Sequence, residues 1–306
     1  MDTRGVRALK FMAVVVSLLV GACPCLGQHA PAWNTALAAA LKLAPQARIV
    51  VQDVSTGRLL AASQLREAAR TLAAPGSTLK PLVLYGLVDA NRWDPSRRIA
   101  CTRKLTVAGR SLNCSHPPAD PMDARQALAW SCNTYFAAVG ATLAPGELRS
   151  LLAPTGLLSQ TGLAAAEATA AFRDPETPDQ NRLGLLGVDG IQVTPLELAA
   201  AYRWLALQLA AHPSSAAAQA VQAGLAGSAS FGIAGAASRG GVPIAGKTGT
   251  ANLGPGTPSH GWFVGLAPSN SPQVVVAVYL PAGHGADAAQ VAAELLAHSP
   301  LRQTKP

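Results

Sequence analysis

Three short strings, set in order along a chain of 306 residues, carry the residue types that could do nucleophilic chemistry: Ser77-Thr78-Leu79-Lys80, Ser131-Cys132-Asn133 and Lys247-Thr248-Gly249-Thr250. A serine hydroxyl is a poor nucleophile at neutral pH until a nearby base takes its proton during attack. Lysine can be that base where burial or a neighbouring cation lowers its pKa enough to leave a neutral fraction. Lysine is scarce here: only six of the 24 basic residues are lysines, and two of those six, Lys80 and Lys247, lie inside the strings. Each string alone recurs by chance as a helix cap, a solvated helix position or an edge-strand charge. Their order and context together point to a single site.

The elements that must position these residues can be read from pattern and punctuation. Ala74-Pro75-Gly76 breaks the chain, and Ser77 to Asn91 follows as a helix whose core face is Leu82, Leu84, Leu87 and Val88. Pro81 fits only if that helix has just begun, because a first-turn residue has no intrahelical donor to lose. Ser77 therefore stands at the helix mouth, and Lys80, at i+3, shares its face. Upstream, Ala32 to Ala44 reads as a helix, and Arg48 to Ser55 and Arg58 to Ser63 read as strands joined at Thr56-Gly57. From about Pro95 to Leu186, Pro-rich loops alternate with Ala-rich helices. Gly190 to Leu209 reads as a helix with Thr194-Pro195 at its start and Glu197 in its first turn. Strand-like Ile244 to Ala251, Gly261 to Ala267 and Gln273 to Leu280 close the chain with a helix, Ala286 to His298. Strands at both ends of a helical middle imply one sheet built from the two termini, with a helical lobe (roughly 92–235) inserted in it.

Composition excludes several classes. Charged residues at 13% and hydrophobic residues at 49% describe a globular chain and exclude disorder as its main state. Formal charge is +8, but no basic run interleaves with aromatics, which make up only 5%, so a nucleic-acid partner is not expected. Arg4, Arg7 and Lys10 precede an apolar run from Phe11 to Cys23, which is export-signal architecture. Thirteen residues fall short of the roughly 20 a spanning helix needs. Residues 1–27 read either as a cleaved signal peptide or, through Val20-Gly21-Ala22-Cys23, as a lipoprotein leader anchoring the chain at Cys23. Both place residues 28–306 outside the cytoplasm, periplasmic or associated with the cell envelope.

Beyond the leader, Cys101 and Cys114 bracket a stretch that reads as a hairpin turning at Ala108-Gly109. In an oxidising compartment their approach predicts a Cys101–Cys114 disulfide. The rival is a metal site from Cys101, Cys114 and His116, set aside because the CxxC pairs and HExxH string of common zinc sites are missing. Cys132 is taken as a small buried filler. No metal and no cofactor are expected.

The three strings, together with Val51 to Ala61, Val193 to Ala199, Ala245 to Ala251 and His260 to Pro268, resemble the transpeptidase domain of penicillin-binding proteins, in the superfamily of serine β-lactamases and D,D-peptidases. The likeness covers nearly everything after the leader. It implies an α+β fold of the α/β sandwich type: an antiparallel sheet of about five strands flanked by helices, plus an all-helical lobe. It also implies roles. Ser77 is the nucleophile, Lys80 its base, and Ser131 a proton relay between the lysines and the leaving nitrogen. Asn133 holds the acyl donor's amide, Lys247 (counted with the catalytic residues) and Thr248 bind the substrate's terminal carboxylate, Gly249 lets the backbone approach closely, and Thr250 completes the substrate-binding set. The oxyanion hole is formed by the backbone N–H groups of Ser77 and Thr250.

By implication the substrates are peptidoglycan stem peptides ending in D-Ala-D-Ala, with β-lactams as covalent inhibitors. A D,D-carboxypeptidase would pass the same acyl-enzyme to water, and a β-lactamase would hydrolyse it quickly. For the lactamase, Glu167 lies near the position of a class A deacylating glutamate but lacks the Leu-Asn context, and it reads as a helix-surface charge. A non-catalytic β-lactam sensor or wall-binding module is the reading outside enzymology, opposed by intact Ser77, Lys80 and Lys247.

Overall fold

The computed structural model describes residues 31–251 and 257–303. The leader and Cys23 lie outside the described residues, as does part of the loop before His260. The sheet has five antiparallel strands: β1 (Arg48–Asp53), β2 (Leu59–Ala62), β3 (Ala245–Ala251), β4 (His260–Ala267) and β5 (Val274–Leu280), in the spatial order β2-β1-β5-β4-β3. β5, the last strand in sequence, is central, and it joins the N-terminal hairpin to the C-terminal pair. Its sequence, VVVAVYL, is buried at every position because both faces are covered. Val275, Ala277 and Tyr279 enter one core while Val274, Val276, Val278 and Leu280 enter the other, the period of two that a pleated strand imposes.

Helices α1 (Pro31–Leu43) and α7 (Gly285–Ala297) cover the second of those faces. On the first face lie α2 (Lys80–Asp89), α5 (Pro195–Ala211) and α6 (Ala216–Ser230), which continue into α3 (Ala124–Ala129) and α4 (Asn133–Gly140). Thr194 caps α5 with a reciprocal box, its hydroxyl accepting from Glu197 N while Glu197 Oε2 accepts from Thr194 N. That cap begins the helix at Pro195 instead of Gly190. Ile191–Gln192 pairs with Ala171–Phe172 as a short ladder. Ala216–Ser230, rich in Ala and Gly, has no apolar stripe to announce it, yet it packs closely against β3 and α3 because most of its side chains are small.

Candidate active site

Ser77 sits in a 3₁₀ turn, Gly76–Leu79, that runs directly into α2, with Pro81 in the first turn of that helix. Between residues 73 and 80 only Ser77 escapes full burial, so the turn offers one side chain to the cleft. Three contacts fix the turn. Gly76, at φ +56°, donates its N–H to Gly187 O at 2.9 Å. Trp262 Nε1 on β4 donates to Ala74 O at 2.9 Å, and Tyr202 OH on α5 donates to Thr78 O at 2.8 Å.

Lys80 is fully buried one turn along. Its Nζ donates to Ser131 O at 2.9 Å, Ser131 Oγ at 3.2 Å and Asn133 Oδ1 at 2.7 Å, with the Phe136 ring 5.1 Å away. Those three bonds use every donor of an ammonium group. Burial nevertheless pushes its pKa down to about 7, opposed by the nearby Cys132 and Cys114 groups. Lys80 thus has both a charged and a neutral form near neutrality. Ser131 is held in the left-handed region, φ +55°, which turns its carbonyl and hydroxyl toward the same ammonium. Asn133 Nδ2 donates to Leu112 O at 3.0 Å, so this amide links Lys80 to the Thr106–Ser111 hairpin.

β3 brings the third string. Among the described residues it is an edge strand, with no strand partner on the side that lies against the Ser77 turn. The fit is close: a β-carbon added to Gly249 would fall 2.4 Å from Pro75 O, and one added to Gly76 would fall 2.8 Å from Thr250 O and 3.0 Å from Thr250 N. Lys247 is fully buried, with Nζ donating to Thr248 O at 3.1 Å. Burial first, and then the Lys80 charge, hold its pKa well below the usual lysine range. The two lysines therefore share one electrostatic environment beside Ser77, with the repulsion between them expressed at Lys247. Thr248 is buried, its Cβ against Gly285, whereas Thr250 is exposed and its Oγ1 accepts from Gly285 N at 3.0 Å.

The structure brings Ser77, Lys80, Ser131, Asn133 and the Lys247–Thr250 string together from three distant parts of the chain. It departs from the sequence reading at the cysteines: Cys101 and Cys114 are free thiols, not a disulfide. The hairpin does form, with Ala108 and Gly109 at its turn. Its geometry sends Cys114 Sγ to 3.9 Å from Cys132 Sγ, while Cys101 Sγ lies 3.6 Å from Thr134 Oγ1. Glu167 is likewise not on a helix. Its carboxylate accepts from the backbone of Thr161, Gly162 and Ala164 and closes a loop.

His260 packs edge-on against Tyr279, and burial, then the Arg48 charge, lower its pKa. Sequence reasoning missed Gly187, Tyr202 and the Trp262–Ala74 bond. Nothing local marks a residue whose task is to hold another segment's backbone.

A hydroxyl at a helix mouth, a buried lysine of depressed pKa and an edge-strand backbone within contact distance define a site suited to serine acyl transfer. The chain belongs to the penicillin binding protein transpeptidase domain family, whose pattern matches residues 47–298. It is 27% identical to the peptidoglycan D,D-transpeptidase PbpA of Mycobacterium tuberculosis over 68% of this chain and 50% of that protein, so it spans about half the length of the curated relatives it matches. In three dimensions it resembles the transpeptidase domain of Burkholderia pseudomallei penicillin-binding protein 3, with TM-score 0.75 and 23% identity over 87% of this chain and 92% of that one. A peptidoglycan glycosyltransferase of Burkholderia ambifaria gives TM-score 0.74 and 20% identity over the same shares.

Proposed function

We propose that this chain is a D,D-transpeptidase that acylates Ser77 with stem peptides ending in D-Ala-D-Ala, and that it works outside the cytoplasm. The observation that carries the reading is the convergence of two buried lysines on the turn that bears the one accessible serine. In the neutral form, Lys80 gives up one of its three hydrogen bonds and presents a lone pair to the Ser77 hydroxyl. Ser77 Oγ attacks the carbonyl carbon of the penultimate D-Ala as its proton passes to Lys80 Nζ. The backbone N–H groups of Ser77 and Thr250 hold the resulting oxyanion, and losing one such donor typically costs roughly 3 kcal/mol of transition-state stabilisation. Collapse breaks the C–N bond, and Ser131, bonded to Lys80, returns the proton to the leaving amine of the terminal D-Ala. An acceptor amine then repeats the sequence in reverse.

The terminal carboxylate favours the charged form of Lys247 and accepts from the exposed Thr250 hydroxyl, while Thr248 holds the strand in place. Asn133, whose Nδ2 donates to Leu112 O and Asn113 O, orients the donor's amide through the Oδ1 lone pair that Lys80 does not use. The loop role of Glu167 leaves it no part in deacylation, which favours a long-lived acyl-enzyme over a β-lactamase.

Mass spectrometry of the protein with penicillin, followed over hours, tests this. A stable adduct on Ser77, absent in Ser77→Ala, supports the proposal. Prompt loss of the adduct identifies a β-lactamase, and no adduct leaves only a binding role. Release of D-Ala to water with no cross-linked product would identify a carboxypeptidase.

A further inference from the structure

Behind the Ser131-Cys132-Asn133 turn, Cys101, Cys114, His116 and Cys132 gather so that one ligand atom from each lies within 4.8 Å of all the others. The hairpin returns Cys114 beside Arg103, whose carbonyl accepts from Cys114 N at 2.9 Å, and Cys132 caps the N-terminus of α4. Cys114, Cys132 and His116 are buried, and Cys101 is partly so.

Two independent features mark these groups as ligands. First, every sulfur accepts a backbone N–H: Arg103 N to Cys101 Sγ at 3.3 Å, Asn133 N to Cys114 Sγ at 3.2 Å and Tyr135 N to Cys132 Sγ at 3.5 Å. A neutral thiol is a weak acceptor, whereas buried thiolates need such donors. Second, His116 is 2% exposed, its Nδ1 lies 2.6 Å from Pro117 O, and its Nε2 is buried with no hydrogen-bond partner. Donation of Nδ1–H to a carbonyl leaves the lone pair on Nε2, as in metal-ligating histidines. Left unpaired in the interior, that nitrogen would carry a desolvation cost with nothing to offset it.

We propose that Cys101, Cys114 and Cys132 Sγ and His116 Nε2 bind one Zn²⁺ as a closed, tetrahedral structural site. Three thiolates and an imidazole suit Zn²⁺ over harder cations, and four protein ligands leave no position open for catalysis. Binding forms three Zn–S bonds and one Zn–N bond and releases the three thiol protons to solvent, with no change of oxidation state. The metal holds Cys132 in place, and the residues on either side of Cys132 are the two that bind Lys80. The sequence reading set a metal aside for want of a CxxC pair. The fourth ligand is the cysteine it took for filler.

The test uses the whole chain purified without chelators. Native mass spectrometry and elemental analysis are expected to find one zinc per chain, and Co²⁺ exchange is expected to give the visible bands of a tetrahedral cobalt thiolate. Cys101→Ser, at the most exposed ligand, and His116→Ala should each weaken zinc binding by more than the roughly 10–100-fold that changes to outer-shell partners cost. Ser77→Ala should keep the metal while losing the penicillin adduct, which separates this inference from the reading of the active site. A protein without zinc whose Co²⁺ titration stays colourless would overturn the proposal, as would a mass two hydrogens light that maps to a disulfide among these cysteines. The wild-type cobalt spectrum decides the matter even if every variant fails to fold.

Discussion

Gly249→Ala perturbs the contact that sets the distance between β3 and the Ser77 turn. The residue lies within strand β3 and outside the left-handed region, so alanine meets no positive-φ penalty and the effect is steric. Its new β-carbon would lie 2.4 Å from Pro75 O, 3.0 Å from Thr78 Cγ2 and 3.3 Å from Trp262 Cβ, where ordinary contact begins near 3.4 Å. Pro75 O is backbone and cannot rotate away, so strand and turn must separate by about 1 Å, and a misplacement of that size typically costs ~10²-fold in rate. Overpacking of this kind costs roughly 1–3 kcal/mol of stability. The edge strand can absorb this by shifting outward.

The assay is stopped-flow acylation by a fluorescent penicillin, paired with a thermal melt followed by circular dichroism. Gly235→Ala is the control, because its β-carbon would meet nothing nearer than Ala229 O at 3.9 Å. Acylation of Gly249→Ala within about threefold of wild type, in a protein that melts normally, would refute the claim that this spacing controls reactivity.

The acylation rate should climb with pH through the Lys80 titration. The folded pKa is depressed to about 7 and, with Lys80 as the proposed base, only the neutral amine would accept the serine proton, so moving from about pH 6 to about pH 8 raises the competent fraction roughly tenfold; a flat profile would remove Lys80 as the base. Lys80→Arg, charged at every accessible pH, should lose roughly 10²–10⁴-fold in acylation rate. Tyr202→Phe leaves buried Thr78 O without its donor and should cost about 1–3 kcal/mol in a denaturant melt, with a slower acylation step. Thr194→Ala removes one half of the α5 cap and should cost about 1 kcal/mol with acylation unchanged, which the same two assays would show.

What the sequence made legible follows from where the determining signal lies. Strands β4 and β5 were readable as largely apolar runs bounded by Gly, Pro, Ser and Asn turns, whereas β3, AGKTGTA, shares the turn boundaries but is mostly small and polar. The placement of Ser77 at a helix mouth followed from Pro81 alone. The structure refines it to a 3₁₀ turn preceding the helix, which leaves Ser77 and Lys80 on one face. The helix Ala216–Ser230 escaped because its burial rests on smallness and shows no periodicity. The sulfur cluster escaped because its ligands are joined by a hairpin and a cap, elements that create no short ligand spacing along the chain. Glu167 was misread for a related reason: an Ala-rich context suggests helix, yet the carboxylate finds three loop N–H groups close by.

The most demanding feature of the site is a lysine with no exposed surface, and its surroundings explain how the fold tolerates it. A buried ammonium is costly unless every donor is met, and here all three are met by one tripeptide turn and its asparagine. Meeting them requires Ser131 at φ +55°, a conformation that costs of order 1–3 kcal/mol for a non-glycine residue and persists only when its neighbours hold it there. In front, Lys80 itself does so. Behind, the constraint comes from Cys132 Sγ, which accepts from Tyr135 N, and from Asn133, whose N–H reaches Cys114 Sγ and whose Nδ2 reaches Leu112 O. Strain at Ser131 and the pKa of Lys80 are therefore one problem with one solution: loosening the cysteine side would release Ser131 toward ordinary dihedrals and withdraw two of the three acceptors from Lys80.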